Sequence, residues 1–105
     1  MKGNEMRALM KTLDALQKEP TLGPDTTIRQ LLILLHVAAA GSAGTDTSSL
    51  VLRTKFSQSS VSRAVEKLGV KDRAGLVRAD LDPNNHKFRL ISLTPKGGQL
   101  LESVL

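Results

Sequence analysis

The sequence predicts a mainly α-helical domain carrying one small β-hairpin, an α+β arrangement, and three observations predict it. Apolar residues recur at spacings of three and four through the first part of the chain. Two extended runs, LVRADL and KFRLISL, flank the turn-forming DPNNH. Between the helical segments stand capping residues, glycines and prolines. At 105 residues the chain is one domain with no room for a second. It is 40% hydrophobic, and a core this small buries only part of the apolar surface it needs, which favours borrowing burial from a partner.

Residues 5–18 are expected to form the first helix, with Met6, Leu9, Met10, Leu13 and Leu16 on one side. EPTLGPD ends it, since Pro20, Gly23 and Pro24 cannot continue a helix. The second helix starts near Asp25 or Thr26 as N-cap and reaches about Ala40. Its middle is apolar all round, so burial on more than one face is expected. GSAG is a loop, and Asp46 or Thr47 caps a short third helix, SSLVLRT, with Leu50 and Val51 inward. After Lys55-Phe56, Ser57 caps the fourth helix. Val61, Ala64, Val65 and Leu68 form its inward stripe. Gly69 can end it, although KDRA could carry a further turn before Gly75. Asp82-Pro83-Asn84-Asn85 is turn chemistry that joins the two extended runs into a hairpin. Thr94 and Pro95 open a last helix, with glycines weakening its first turn.

Two consecutive short helices followed by a basic hairpin describe a winged helix-turn-helix. The expected division is residues 1–20 as a dimerisation helix, 26–94 as the core and wing, and 95–105 as a C-terminal helix.

The net charge is +5, and its location is informative. Nine basic residues (53, 55, 63, 67, 71, 73, 78, 87 and 89) and four acidic ones (66, 72, 80 and 82) fall between Arg53 and Arg89. The six basic and six acidic residues elsewhere cancel. The whole excess therefore sits in one contiguous third of the chain, which points to a polyanionic partner.

Other classes are disfavoured. Phe56 and Phe88 are the only aromatic residues, too few for a module that reads single strands by stacking. Cysteine is absent, which excludes disulfides, zinc-thiolate sites and thiol redox sensing, and fits a reducing compartment. The charges spaced through MKGNEMRALMKTLDAL leave no apolar core for a secretory leader. The longest apolar run, Leu31 to Leu35, is too short to cross a bilayer. A cytoplasmic protein with no membrane partner is expected. No serine has a plausible base and orienting acid, and no glycine-rich phosphate loop is present, so neither catalysis nor a cofactor is expected.

SQSSVSRAVEKL is the segment with chemistry to explain. One N-cap serine would start this helix, yet its first two turns hold three more serines, a glutamine and an arginine. Opposite the apolar stripe lie Ser59, Ser60, Arg63 and Lys67, with Ser62 and Glu66 on the flank. Small hydroxyl residues permit close approach to a major groove, and an arginine such as Arg63 can pair with a guanine edge through two hydrogen bonds. Ser57, Gln58, Ser59, Ser60, Ser62, Arg63 and Lys67 are therefore candidate DNA contacts, against an ordinary solvated face. Asn84, Asn85, His86, Lys87 and Arg89 on the hairpin are candidates for phosphate or minor-groove contact, against simple protection of a strand edge. Arg53 and Lys55 flank the turn as candidate phosphate clamps or as solvated surface. His36 reads as a partly buried histidine in an apolar helix. His86 has no second ligand at metal spacing, so no metal site is expected.

These segments resemble the MarR family of bacterial winged-helix regulators. SQSSVSRAVEKL looks like that family's recognition helix, and GLVRADLDPNNHKFRLISLTPKG looks like its wing with the closing Leu-Thr-x-x-Gly. The resemblance covers roughly Thr26 to Leu105. It departs at the wing tip, where Asn85 and Lys87 replace the usual acidic and arginine residues, and at GVKDRAG, longer than the typical connection. Family members usually continue beyond the position of Leu105 into a long dimerisation helix, beside which ligands are sensed. A sensing role is not carried over, and no small-molecule effector is inferred.

The resulting expectation is a sequence-specific double-stranded DNA-binding regulator, a homodimeric repressor that occupies a near-palindromic operator. Its dimer contacts would come from Met6, Leu9, Met10, Leu13 and Leu16, with Leu100, Leu101, Val104 and Leu105 from the tail. The alternative is a winged-helix protein–protein adaptor, such as an antirepressor or a replication or partition accessory protein.

Overall fold

A computed structural model describes residues 2–23, 25–69 and 74–104, with the side chains of residues 85–88 outside that description. The elements follow in the order α1 (Gly3–Gln17), α2 (Ile28–Ala39), α3 (Thr47–Thr54), α4 (Gln58–Leu68), β1 (Val77–Asp82), β2 (Asn85–Leu93) and α5 (Pro95–Val104). Among the described residues, no helix is long and apolar enough to cross a membrane.

The central element is α2. Its N-cap is Thr27, one or two residues later than the sequence suggests, because Thr27-Ile-Arg-Gln30 forms a reciprocal capping box. The Gln30 N–H donates to Thr27 Oγ1 at 3.1 Å, and the Thr27 N–H donates back to Gln30 Oε1 at 3.1 Å. Neither Asp25 nor Thr26 holds that place; the Thr26 hydroxyl donates instead to the Leu22 carbonyl. Leu31, Ile33, Leu34 and Val37 are buried, and α2 packs against α3, α4 and β2. Most of its apolar girth is thus covered within one chain, and only Ile28 and Leu32 remain as exposed large apolar side chains.

The predicted inward stripe of α4 is buried as a unit: Val61, Ala64, Val65 and Leu68. Full burial of a Val or Leu side chain contributes about 1.5–3 kcal/mol, so this stripe fixes the rotation of α4 about its axis. Gly69 ends the helix as its C-cap. Most of the KDRA stretch that could have prolonged it lies outside the described residues.

Strands β1 and β2 pair antiparallel from Val77↔Leu93 to Leu81↔Arg89, with an irregularity before Asp82↔Asn85. The turn is tighter than DPNNH suggests, leaving only Pro83 and Asn84 between the strands. The Asn84 N–H donates to Asp82 Oδ1 at 2.8 Å, an Asx-turn. A third, one-residue strand is added by Thr45, which exchanges two backbone hydrogen bonds with Ile91, at 2.8 and 2.7 Å. The preceding GSAG loop contains a single 3-10 turn, Gly41–Ala43. Gly44 leaves it at φ 78°, where a Cβ would come 3.0 Å from the Ile91 carbonyl oxygen.

The tail and first helix depart from expectation. Leu16 of α1 and Leu100 and Leu101 of α5 are buried in the core of the single chain, because α1 folds back onto α5. They do not form an outward strip for a second copy. Val104 is partly buried against the same core, and Leu105 lies outside the described residues. What α1 leaves exposed is Met6, Leu9, Met10 and Leu13, each between 44% and 62% accessible.

The two glycines of α5 differ in what they do. A Cβ at Gly97 would sit 2.2 Å from the Leu76 backbone oxygen, whereas one at Gly98 would meet nothing within 4 Å. Gly97 therefore permits the close seating of α5 on the base of the hairpin. Gly97→Ala is expected to destabilise the protein by about 1–3 kcal/mol through overpacking. Gly98→Ala should stabilise it by up to about 1 kcal/mol, the helix-propensity difference. Urea unfolding of the two variants checks the contrast, and equal midpoints would remove the role given to Gly97.

Candidate nucleic-acid interface

The site is built by the turn between α3 and α4. Asp46 is the N-cap of α3, its Oδ1 accepting from the Ser49 N–H at 2.7 Å. At the other end the Thr54 hydroxyl donates to the Leu50 carbonyl at 2.7 Å and accepts from the Phe56 N–H at 3.2 Å. Lys55 takes the left-handed conformation, φ 62°, which turns the chain sharply. Its N–H donates to the Val51 carbonyl at 2.8 Å. Lysine rather than glycine at this corner costs about 1 kcal/mol or more of backbone strain. It also leaves a basic side chain exposed beside the start of α4.

The serines of α4 have different duties. Ser57 is the N-cap: its Oγ accepts from the Ser60 N–H at 3.1 Å and donates to Ser60 Oγ at 3.0 Å, with Ser59 Oγ 3.2 Å away. The hydroxyls of Ser57 and Ser60 are thus engaged in starting the helix, and Ser60 is half-buried. Gln58, Ser59, Ser62, Arg63, Glu66 and Lys67 are exposed, and the side opposite the core presents Ser59, Arg63 and Lys67.

Ser62 and Glu66 face the hairpin across a groove of about 400 Å³, whose other walls include Thr47, Val77, Ala79 and Arg89. Arg89, predicted from the hairpin, is thereby brought to the same groove as Ser62 from the helix. Arg53 is placed elsewhere, with His36, Asp46, Ser49 and Leu90 around a smaller hollow of about 290 Å³. His36 is half-buried there. Asn84 is exposed at the hairpin tip. The side chains of Asn85, His86 and Lys87 lie outside the described residues. On β1, Arg78 Nε pairs with Asp80 Oδ2 at 3.3 Å; both are exposed, so the pair adds little to stability. Among the described residues, no group of three or more His, Cys, Asp or Glu side chains could hold a metal ion.

One basic residue was missed by sequence reasoning. Arg29, in the first turn of α2, lies over the Phe56 ring with its Cζ 5.2 Å from the centroid. Arg29 and Phe56 are 27 residues apart in the sequence, and only the tertiary fold brings the start of α2 to the turn between α3 and α4.

This geometry, a basic hairpin set beside an exposed polar helix that follows a tight turn, defines a winged helix-turn-helix. No family model matches the chain, and no curated protein matches it by sequence. Solved structures do match. A point mutant of S. aureus MepR bound to an oligodeoxyribonucleotide is 20% identical, with a TM-score of 0.75 over 95% of this chain and 67% of that one. The PcaV transcriptional regulator from Streptomyces coelicolor is 20% identical, with a TM-score of 0.65 over 99% of this chain and 73% of that one. Wild-type MarR from E. coli in its apo form is also 20% identical, with a TM-score of 0.65 over 99% and 74% of the two chains. The chain has the MarR-type winged-helix fold.

Ser57→Ala is expected to cost about 1 kcal/mol of stability through loss of the N-cap. Ser59→Ala should stay within about 0.5 kcal/mol of wild type, as for an ordinary surface change. Thermal unfolding of both variants measures the difference, and equal losses would contradict the separate duties assigned to the two hydroxyls.

Proposed function

We propose that the protein is a sequence-specific double-stranded DNA-binding transcriptional regulator, a homodimeric repressor acting by occupancy of its operator. The observation that carries this reading is the face of α4. Gln58, Ser59, Ser62, Arg63 and Lys67 are exposed on a helix whose rotation the core fixes, beside a basic hairpin. The same fold in MepR has been solved with DNA bound, which supports the reading by likeness.

In this reading α4 enters the major groove, where Arg63 reads a guanine and the small hydroxyls allow close approach. The hairpin grips the flanking backbone through Arg89, Lys87 and the tip residues Asn84, Asn85 and His86. Arg53 and Lys55 add phosphate contacts at the turn. A two-fold dimer would set two recognition helices about 34 Å apart, one turn of DNA, and would call for a near-palindromic site. Met6, Leu9, Met10 and Leu13 are the surface offered for that dimer, an exposed apolar row on α1.

Affinity for duplex DNA should fall steeply with salt, each neutralised phosphate adding about −0.9 to the log–log slope. A salt-independent association would overturn the reading in favour of a protein–protein adaptor. Arg63→Ala should lose about 1–3 kcal/mol of discrimination among sites, while Lys87→Ala should weaken all sequences alike. Identical profiles across an operator panel would remove that division of roles. For the dimer, light scattering should give twice the monomer mass for wild type and a monomer for Leu9→Glu. A wild-type monomer at micromolar concentration that still bound one site tightly would contradict it.

A further inference from the structure

We infer that Arg29 is a phosphate-binding residue of the interface, held in place by Phe56 at the head of the recognition helix. The inference rests on the DNA-binding reading above and deepens it, because nothing in the charge distribution along the sequence assigns Arg29 to the interface.

The first observation is the stack. The Arg29 guanidinium carbon is 5.2 Å from the centre of the Phe56 ring. Phe56 is itself half-buried and packed against the core, so it is a fixed platform. The ring face attracts the cation, and a guanidinium carries its N–H donors in a planar fork that suits a phosphate oxygen pair. Arg29 is exposed and takes part in neither of the ion pairs found among the described residues. Its charge is therefore available.

The second observation is where the platform stands. Phe56 immediately precedes Ser57, the N-cap of α4. First-turn amides of a helix have no intrahelical carbonyl partner, and the Ser57 hydroxyl satisfies that of Ser60. The amides of Gln58 and Ser59 stand at the positive end of the helix, within two or three residues of the ring that carries Arg29. A DNA phosphate seated at this helix end would lie beside the ring that carries the guanidinium. The stack also removes much of the side-chain freedom that an exposed arginine would otherwise lose on binding.

The test uses the full chain and a mixed-sequence duplex, with affinity measured across a salt series. Arg29→Met keeps an aliphatic stem over Phe56 and removes the charge. It is expected to melt as wild type does and to lower the log–log salt slope by about 0.9, the value of one phosphate. Its deficit should grow about three-fold as salt falls from about 200 to about 50 mM. Arg29→Lys should keep the wild-type slope. A melting temperature that falls in Arg29→Met while the slope stays unchanged would make Arg29 a cover for Phe56 and overturn the inference. If wild type and Arg63→Ala behave as proposed and only the Arg29 variants do not, this inference alone fails. A wild type that does not bind duplex DNA overturns both.

Discussion

Val61, Ala64, Val65 and Leu68 are buried together along α4, against an α2 whose Ile33, Leu34 and Val37 are buried in turn. A helix rotates by about 100° per residue, so turning α4 by one position would bring Ser62 inward and Val61 into water. No described residue in the core is polar or charged, and nothing there would receive the hydroxyl. This packing therefore decides which side of α4 faces outward. Every other feature of the site is arranged around that orientation.

The hairpin is tied to the same frame at several points. The Leu76 N–H donates to the Leu68 carbonyl at 2.9 Å, and the Gly75 N–H donates to the Gly69 carbonyl at 3.1 Å. The Thr94 N–H returns to the Leu76 carbonyl at 3.0 Å, and the Thr94 hydroxyl donates to the Gly75 carbonyl. Thr45 holds the opposite side through Ile91. The base of the hairpin is thus fixed to the end of α4, to α5 and to the chain before α3. Its tip, closed by the Asp82–Asn84 Asx-turn, projects from that base. The helix and the hairpin present one surface of fixed geometry.

Much of this was legible in the sequence where a local signal carried it. Ser57 and Asp46 cap their helices because a side-chain oxygen one residue before an apolar-periodic run has an amide to accept from. The stripe of α4 and the turn at Asp82 follow from spacing and turn chemistry. Other features depend on contacts that spacing does not encode. Thr45 makes a single-residue strand, too short for any alternation to reveal it. Leu16 and Leu101 look like an exposed apolar strip until α1 is seen to fold onto α5. The capping box at Thr27 competed with two other plausible caps beside it. Arg29 meets Phe56 only because the tertiary fold brings the start of α2 to the turn between α3 and α4.

The separation between the apolar core and the polar face has an evolutionary corollary. Gln58, Ser59, Ser62 and Arg63 are exposed, and among them only Ser59 touches the capping hydroxyl of Ser57. Substitutions at these positions leave the packing of α2 on α4 untouched, and surface changes of this kind usually shift stability by less than about 0.5 kcal/mol. The face can therefore be rewritten one residue at a time without passing through an unfolded intermediate sequence. Such a scaffold tolerates change across its exposed face while the packing beneath it stays the same.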